Sequence, residues 1–161
     1  MSVTIEEMNL VGDALEGAQE LQERFGDEPD FKFTSGRRDR SGQCRAMAAN
    51  ICAAGNRQWI TQTYRSTPVT TQWQAWVDRN PTVVDVPGLA HGLLAVLNQF
   101  SDDDLAAMDF LHHLSGLAFD CAPVVGPLSD EIFAEIEGLP GLDKVLRSEG
   151  GLPRLHAQFK S

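Results

Sequence analysis

The spacing of apolar residues changes along this chain, and that change restricts the folds open to it. Ile5, Met8, Val11, Leu15, Ala18, Leu21 and Phe25 recur at intervals of three and four, which places them on one face of a helix. Thr4 with Glu7 makes a capping box at its start, and Gly26-Asp27-Glu28-Pro29 ends it. Asp30 to Thr34, Leu117 to Ala122 and Arg154 to Phe159 alternate instead, the period of half-buried strands. Lys144 to Ser148 reads as a further strand, joined to the last by a Gly150-Gly151 hairpin. Helical patterns cover Gly42 to Ala54, Asn56 to Thr63, Gln72 to Asp78 and Pro87 to Phe100. Two more run from a Ser101 cap to about His112 and from Ser129 to Glu137. Both periods in 161 residues, with no repeat and no linker, predict a single α+β domain over 1–161.

Composition narrows the function classes. The chain is 42% hydrophobic and 22% charged, ordinary for a globular domain. A formal charge of -10 argues against a nucleic-acid partner, since neutralising phosphates needs a positive face. The exception is local: Arg37, Arg38, Arg40 and Arg45 cluster. No run of 18 apolar residues is present, so no membrane insertion is expected. Met1 to Asn9 lacks a basic start and an apolar run, which predicts synthesis in the cytoplasm without a signal peptide. Cys44, Cys52 and Cys121 are odd in number and lack metal-thiolate spacing, so they read as buried small side chains in a reducing compartment.

Chemistry concentrates in two short stretches. In His112 to Asp120, Gly116 permits the chain to fold back, so a loop histidine and a strand carboxylate can converge. Alternation puts Asp120 with Ala118 and Ala122 on one face, opposite Leu117, Phe119 and Cys121. In the last strand Arg154, His156 and Gln158 share the face opposite Leu155, Ala157 and Phe159. A zinc site needs such neutral imidazoles and carboxylates, converging from different elements. Taken singly, a strand histidine or aspartate is more often a hydrogen-bonded surface group. His112 is an alternative ligand or a residue that supports the ligands from behind, and His91, in a helical segment with no carboxylate partner in view, reads as structural. Asp102-Asp103-Asp104 lacks calcium-loop spacing and reads as charge at a helix start. Trp59, Trp73 and Trp76 read as core, with a substrate groove as the alternative.

Together, His-x-x-Gly-x-Ala-x-Asp at His113 to Asp120 and apolar-His-x-Gln-Phe at Leu155 to Phe159 resemble the zinc D-Ala-D-Ala carboxypeptidases and L-alanyl-D-glutamate endopeptidases, whose fold is that of the hedgehog signalling domain. A third block, Thr34-Ser35-Gly36-Arg37-Arg38 followed by Gln43, is similar to their Thr-Ser-Gly-aromatic-Arg motif, with Arg37 in the aromatic place. The three blocks stand in the family order. The resemblance implies a small antiparallel sheet flanked by helices, with residues of about 65–110 as a helical insertion. It assigns Zn2+ to His113, Asp120 and His156, and substrate binding to Arg38, Ser35 and Gln43, with Arg38 holding a carboxylate or oxyanion.

Hydrolysis also requires a base for the attacking water. Many members carry an acidic residue three positions before the final histidine, where this chain has Pro153; Arg154 replaces a family histidine. Glu149, seven residues before His156, is the remaining candidate base, in a hedgehog-like arrangement. The resemblance therefore implies a zinc peptidase cutting peptidoglycan stem peptides, as in phage lysis or virion-borne wall hydrolases, with other virion proteins as candidate partners. Pro153 supports a second reading: a catalytically degenerate zinc domain serving as a structural part of a larger assembly. A metal-free interaction domain with coincidental histidines is a third.

Overall fold

The computed structural model describes residues 2–160. Its elements run α1 (Ile5–Met8), α2 (Gly12–Phe25), β1 (Phe33–Ser35), α3 (Arg40–Ala54), α4 (Trp59–Thr63), α5 (Pro68–Arg79), α6 (Val86–Leu97), α7 (Asp102–Met108), α8 (His112–Ser115), β2 (Ala118–Cys121), α9 (Pro127–Glu137), β3 (Leu142–Glu149) and β4 (Leu152–Phe159). The class is α+β, with one four-stranded sheet in the order β1-β2-β4-β3 among the described residues. Among those residues no helix is long and apolar enough to cross a membrane. The chain divides into two units: Met1–Arg38, His112–Glu149 and Pro153–Ser161 in the first; Asp39–Leu111 and Gly150–Leu152 in the second. The helical stretch at about 65–110 falls within the second.

In the first unit the sheet backs onto a single apolar cluster. Phe33, Phe119, Cys121, Leu155, Ala157 and Phe159 supply the sheet side, and Ala14, Ala18, Leu21, Ile132 and Ile136 the helix side. Phe33, Phe119 and Phe159 pack in sequence, with ring centroids 5.5 and 5.7 Å apart. Small residues let α2 approach: a Cβ at Gly17 would stand 3.0 Å from Leu139 and 3.1 Å from the Phe159 ring. Burying each phenylalanine is worth about 1.5–3 kcal/mol, so this face is the main anchor of the sheet.

The first apolar stripe is divided between two helices rather than one. The Thr4–Glu7 capping box forms as expected, but Asn9 turns left-handed at φ 48° and closes α1 after one turn. A second helix, α2, begins at Gly12, and Val11 at the junction is exposed instead of buried. The helix expected from Ser101 to His112 also stops early. Ser101 and Asp104 cap it reciprocally, yet Asp109 turns left-handed after Met108, and His112 and His113 enter the separate turn α8. At the hairpin, Gly150 and Gly151 both take positive φ, 58° and 82°, as a two-residue turn of this kind requires.

The second unit is a helical cluster in which α6 packs on α3 and α5. Trp59 and Trp73 are fully buried there, as core, and Trp73 Nε1 donates to the Leu93 carbonyl at 2.9 Å. Gly92 is required beneath the Trp76 ring, which any Cβ would strike. Of the cysteines, Cys44 and Cys121 are buried, whereas Cys52 is exposed, contrary to the sequence reading. It stands one step of about 100° past Ile51 on α3, at the edge of the apolar face that carries Cys44, Met47, Ala48 and Ile51.

Candidate metal centre

Asp120 lies in β2, and the registers bring Ser35 of β1 beside it on one side and His156 of β4 on the other. Three residues far apart in sequence thus form one row across three strands, at the spacing of neighbouring strands, about 4.8 Å. Asp120 Oδ1 lies 2.8 Å from His156 Nδ1. Its other oxygen, Oδ2, accepts from Ser35 Oγ at 2.5 Å and from Arg38 Nη2 at 3.1 Å. Arg38 Nη2 also donates to Ser35 Oγ at 2.8 Å.

His113 reaches this row from α8. Leu117 N–H bonds to the His112 carbonyl, and Gly116 holds φ at +77°, so the chain reverses between the helix and β2. The segment after β1 fixes the ring: Arg38 N–H donates to the His113 carbonyl, and His113 Nδ1 donates to the Gly36 carbonyl at 2.8 Å. A carbonyl only accepts, so the proton sits on Nδ1 and the Nε2 lone pair faces Asp120 Oδ2 at 3.5 Å. Gly36 lets this segment pass close to α1, because a Cβ there would lie 2.4 Å from that of Met8.

The ligand atoms of His113, Asp120 and His156 lie within 4.8 Å of one another, and all three residues are buried. Two imidazole nitrogens and a carboxylate oxygen form a donor set suited to zinc and other divalent transition metals. Each ring is anchored through the nitrogen that does not face Asp120: His113 by Gly36, and His156 by Gln158 Oε1 at 3.3 Å. Outer hydrogen bonds of this kind orient metal-binding imidazoles.

The electrostatics follow from burial and mutual attraction. Burial alone would raise the Asp120 carboxyl, but His113 and His156 overcome it and hold it well below the usual carboxylate range. Burial lowers His113, with Asp120 opposing only in part. Burial also pulls against His156, but its bond to Asp120 and the charges of Asp120 and Glu149 raise it. The site therefore combines a carboxylate held anionic, a His113 whose charging burial disfavours and a His156 whose protonation the neighbouring carboxylate favours.

The remaining predicted residues are distributed as follows. Arg38 and Ser35 are in the site, both on the Asp120 carboxylate. Glu149 is at the end of β3, near enough for its charge to act on His156, and its carboxylate is 3.6 Å from Arg154. Gln43 belongs to the second unit, buried on α3. His112 is buried beside His113, but its ring is outside the clustered donor group. His91 is exposed on α6, and the Asp102–Asp104 run starts α7, with Asp102 paired to Arg40.

The arginine cluster is largely occupied within the fold. Arg37 donates to the Leu114 carbonyl, and Arg40 to the carbonyls of Leu97 and Phe100. Sequence reading missed Asp143 and the Gly36 carbonyl. Strand alternation already put Gln158 on the His156 face, but a backbone acceptor such as Gly36 leaves no sequence signal. Comparison of the chain with protein-family models, with curated proteins and with solved structures returns no match.

Proposed function

We propose that this chain is a zinc-dependent peptidase of the D-Ala-D-Ala carboxypeptidase and hedgehog-domain type, acting on peptidoglycan stem peptides at the bacterial cell wall or from a phage particle. One observation carries the reading. Both buried imidazoles are tied back through their outer nitrogens while their inner nitrogens face one anionic carboxylate. That arrangement suits His113 Nε2, His156 Nδ1 and Asp120 as zinc ligands. The three sequence blocks that resemble the family supply the substrate class, and this step is analogy.

When bound, zinc would polarise the scissile carbonyl and make water a better nucleophile. The protein's own groups would do the rest. Ser35 and Arg38 bond to Asp120 Oδ2 and so fix the plane of the carboxylate. The Arg38 guanidinium stays charged and is suited to a substrate carboxylate or a developing oxyanion. Glu149 is the acid–base candidate, taking a proton from water and passing it to the leaving amine.

A second reading rests on Glu149 itself. Pro153 removes the more common base position, and the Glu149 carboxylate is engaged by the Arg154 guanidinium 3.6 Å away. A zinc-binding domain without turnover, serving as a structural component, is the function that pairing favours.

The test is release of D-alanine, or of new amino termini, from purified peptidoglycan and from stem peptides by the zinc-loaded chain. Glu149→Ala should lower the rate by about 10²–10⁴-fold with zinc retained, and His156→Ala should abolish activity. A zinc-loaded wild-type chain that cuts neither the D-Ala-D-Ala nor the L-Ala-D-Glu bond would establish the second reading. A chain that takes up no zinc would overturn both.

A further inference from the structure

One buried amide decides which nitrogen of His156 faces the metal centre. Gln158, 8% exposed, shares the strand face of His156, and its Nε2 donates to Asp143 Oδ2 at 2.6 Å. A carboxylate has no proton to give, so only the amide nitrogen can meet it. Reversing the amide would set two oxygens against each other at that distance. The orientation is thus dictated by the Asp143 charge, and Gln158 Oε1 must point the other way, to His156 Nε2 at 3.3 Å. An amide oxygen only accepts, so Nε2 bears a hydrogen toward Gln158; Nδ1, 2.8 Å from Asp120 Oδ1, donates to that carboxylate in the metal-free chain and is the nitrogen that would give up its proton to a metal.

We propose that Asp143 and Gln158 form a positioning relay that commits His156 to the metal centre through Nδ1. The relay rests on the metal-site reading given above. It makes the centre asymmetric: the Gly36 carbonyl presents His113 through Nε2, while a side-chain amide under carboxylate control presents His156 through Nδ1. Neither Asp143 nor Gln158 touches the donor atoms of the other two residues, so their effect passes through His156 alone.

The test uses Asp143→Asn and the double variant Asp143→Asn/Gln158→Glu in the full chain. In the single variant the new amide at position 143 can pair with either end of the Gln158 amide. Gln158 then loses its fixed direction while the packing is nearly unchanged. In the double variant the new carboxylate at position 158 accepts from both that amide and His156 Nε2, which restores the direction. Asp143 is exposed, so the single variant keeps its fold. Zn2+ affinity is read by competition with a chromophoric chelator, site geometry by the Co2+ absorption band, and the His156 tautomer by ring ¹⁵N shifts. Loss of an outer-shell partner weakens metal binding by about 10–100-fold, so the single variant should fall about tenfold and the double variant should recover to within about threefold of wild type.

A single variant with wild-type affinity and an unchanged tautomer would overturn the relay while leaving the metal centre standing. So would a double variant no tighter than the single one. Failure of the wild-type chain to bind Zn2+ or Co2+ would instead remove the metal-site reading, and the relay with it as a device for metal binding.

Discussion

In the first unit several polar side chains converge on Asp120, whereas in the second the inward-reaching arginine, tryptophan and glutamine donors reach backbone carbonyls. Asp120 receives His156, Ser35 and Arg38, and Gln158 bridges His156 to Asp143. In the second unit Arg57 donates to the carbonyls of Val77, Asn80 and Val83, and Arg40 to those of Leu97 and Phe100. Trp73 and Gln74 likewise donate to the carbonyls of Leu93 and Arg57. A side chain that satisfies a carbonyl completes the fold and has little chemistry left to offer. A cluster of buried side chains whose lone pairs converge gathers charge without a backbone need for it, and that is the mark of a ligand site.

The sharpest way to break this contrast is Asp120→Ala. It should abolish zinc uptake and destabilise the chain by about 3–5 kcal/mol, the cost of leaving one side of a buried ion pair alone. Isothermal titration and urea denaturation would measure both. A variant that still binds one equivalent of zinc would erase the distinction between the units. Trp73→Ala is the counterpart in the second unit. It should cost a comparable amount, about 3–5 kcal/mol, the usual loss for an emptied tryptophan site, while the folded protein keeps its zinc stoichiometry. Loss of zinc from protein shown to be folded by circular dichroism would contradict that separation.

The smallest effect expected is on pH dependence. In the metal-free chain His156 has a folded pKa above the ordinary histidine value of 6.5, so its stabilising contribution is complete below that value and is lost as pH rises through the folded pKa. His113 has a folded pKa below 6.5, so its contribution is present above that value and is lost as pH falls through the folded pKa. The stability contributed by this pair should therefore be greatest near the ordinary histidine value and decline on both sides. Urea midpoints of the metal-free chain across that range would show it. His156→Gln should remove the decline on the alkaline side and leave the acidic side in place. An unchanged alkaline limb in that variant would assign it to another group.

Much of this chain is legible from local pattern alone. Alternation identified the strands that became β2 and β4 and put Phe119, Cys121, Leu155, Ala157 and Phe159 on the apolar face they occupy. The Thr4–Glu7 and Ser101–Asp104 caps form as their spacing predicts, because a cap needs only residues three apart. The resemblance of short sequence blocks to the zinc peptidases nominated His113, Asp120 and His156, and these are the residues that cluster.

What only the tertiary structure decided depends on strand register and on backbone direction. Ser35 becomes a partner of Asp120 because β1 pairs with β2 in that register, and nothing near Ser35 in sequence contains that information. Asn9 and Asp109 interrupt two apolar stripes by turning left-handed, a choice that periodicity cannot see. The nitrogen that each histidine turns inward is set by Gly36 and by the Gln158–Asp143 pair, acceptors that reach the rings only after folding. A linear pattern records which side chains share a face; hydrogen-bond direction exists only between groups that the fold has already brought together.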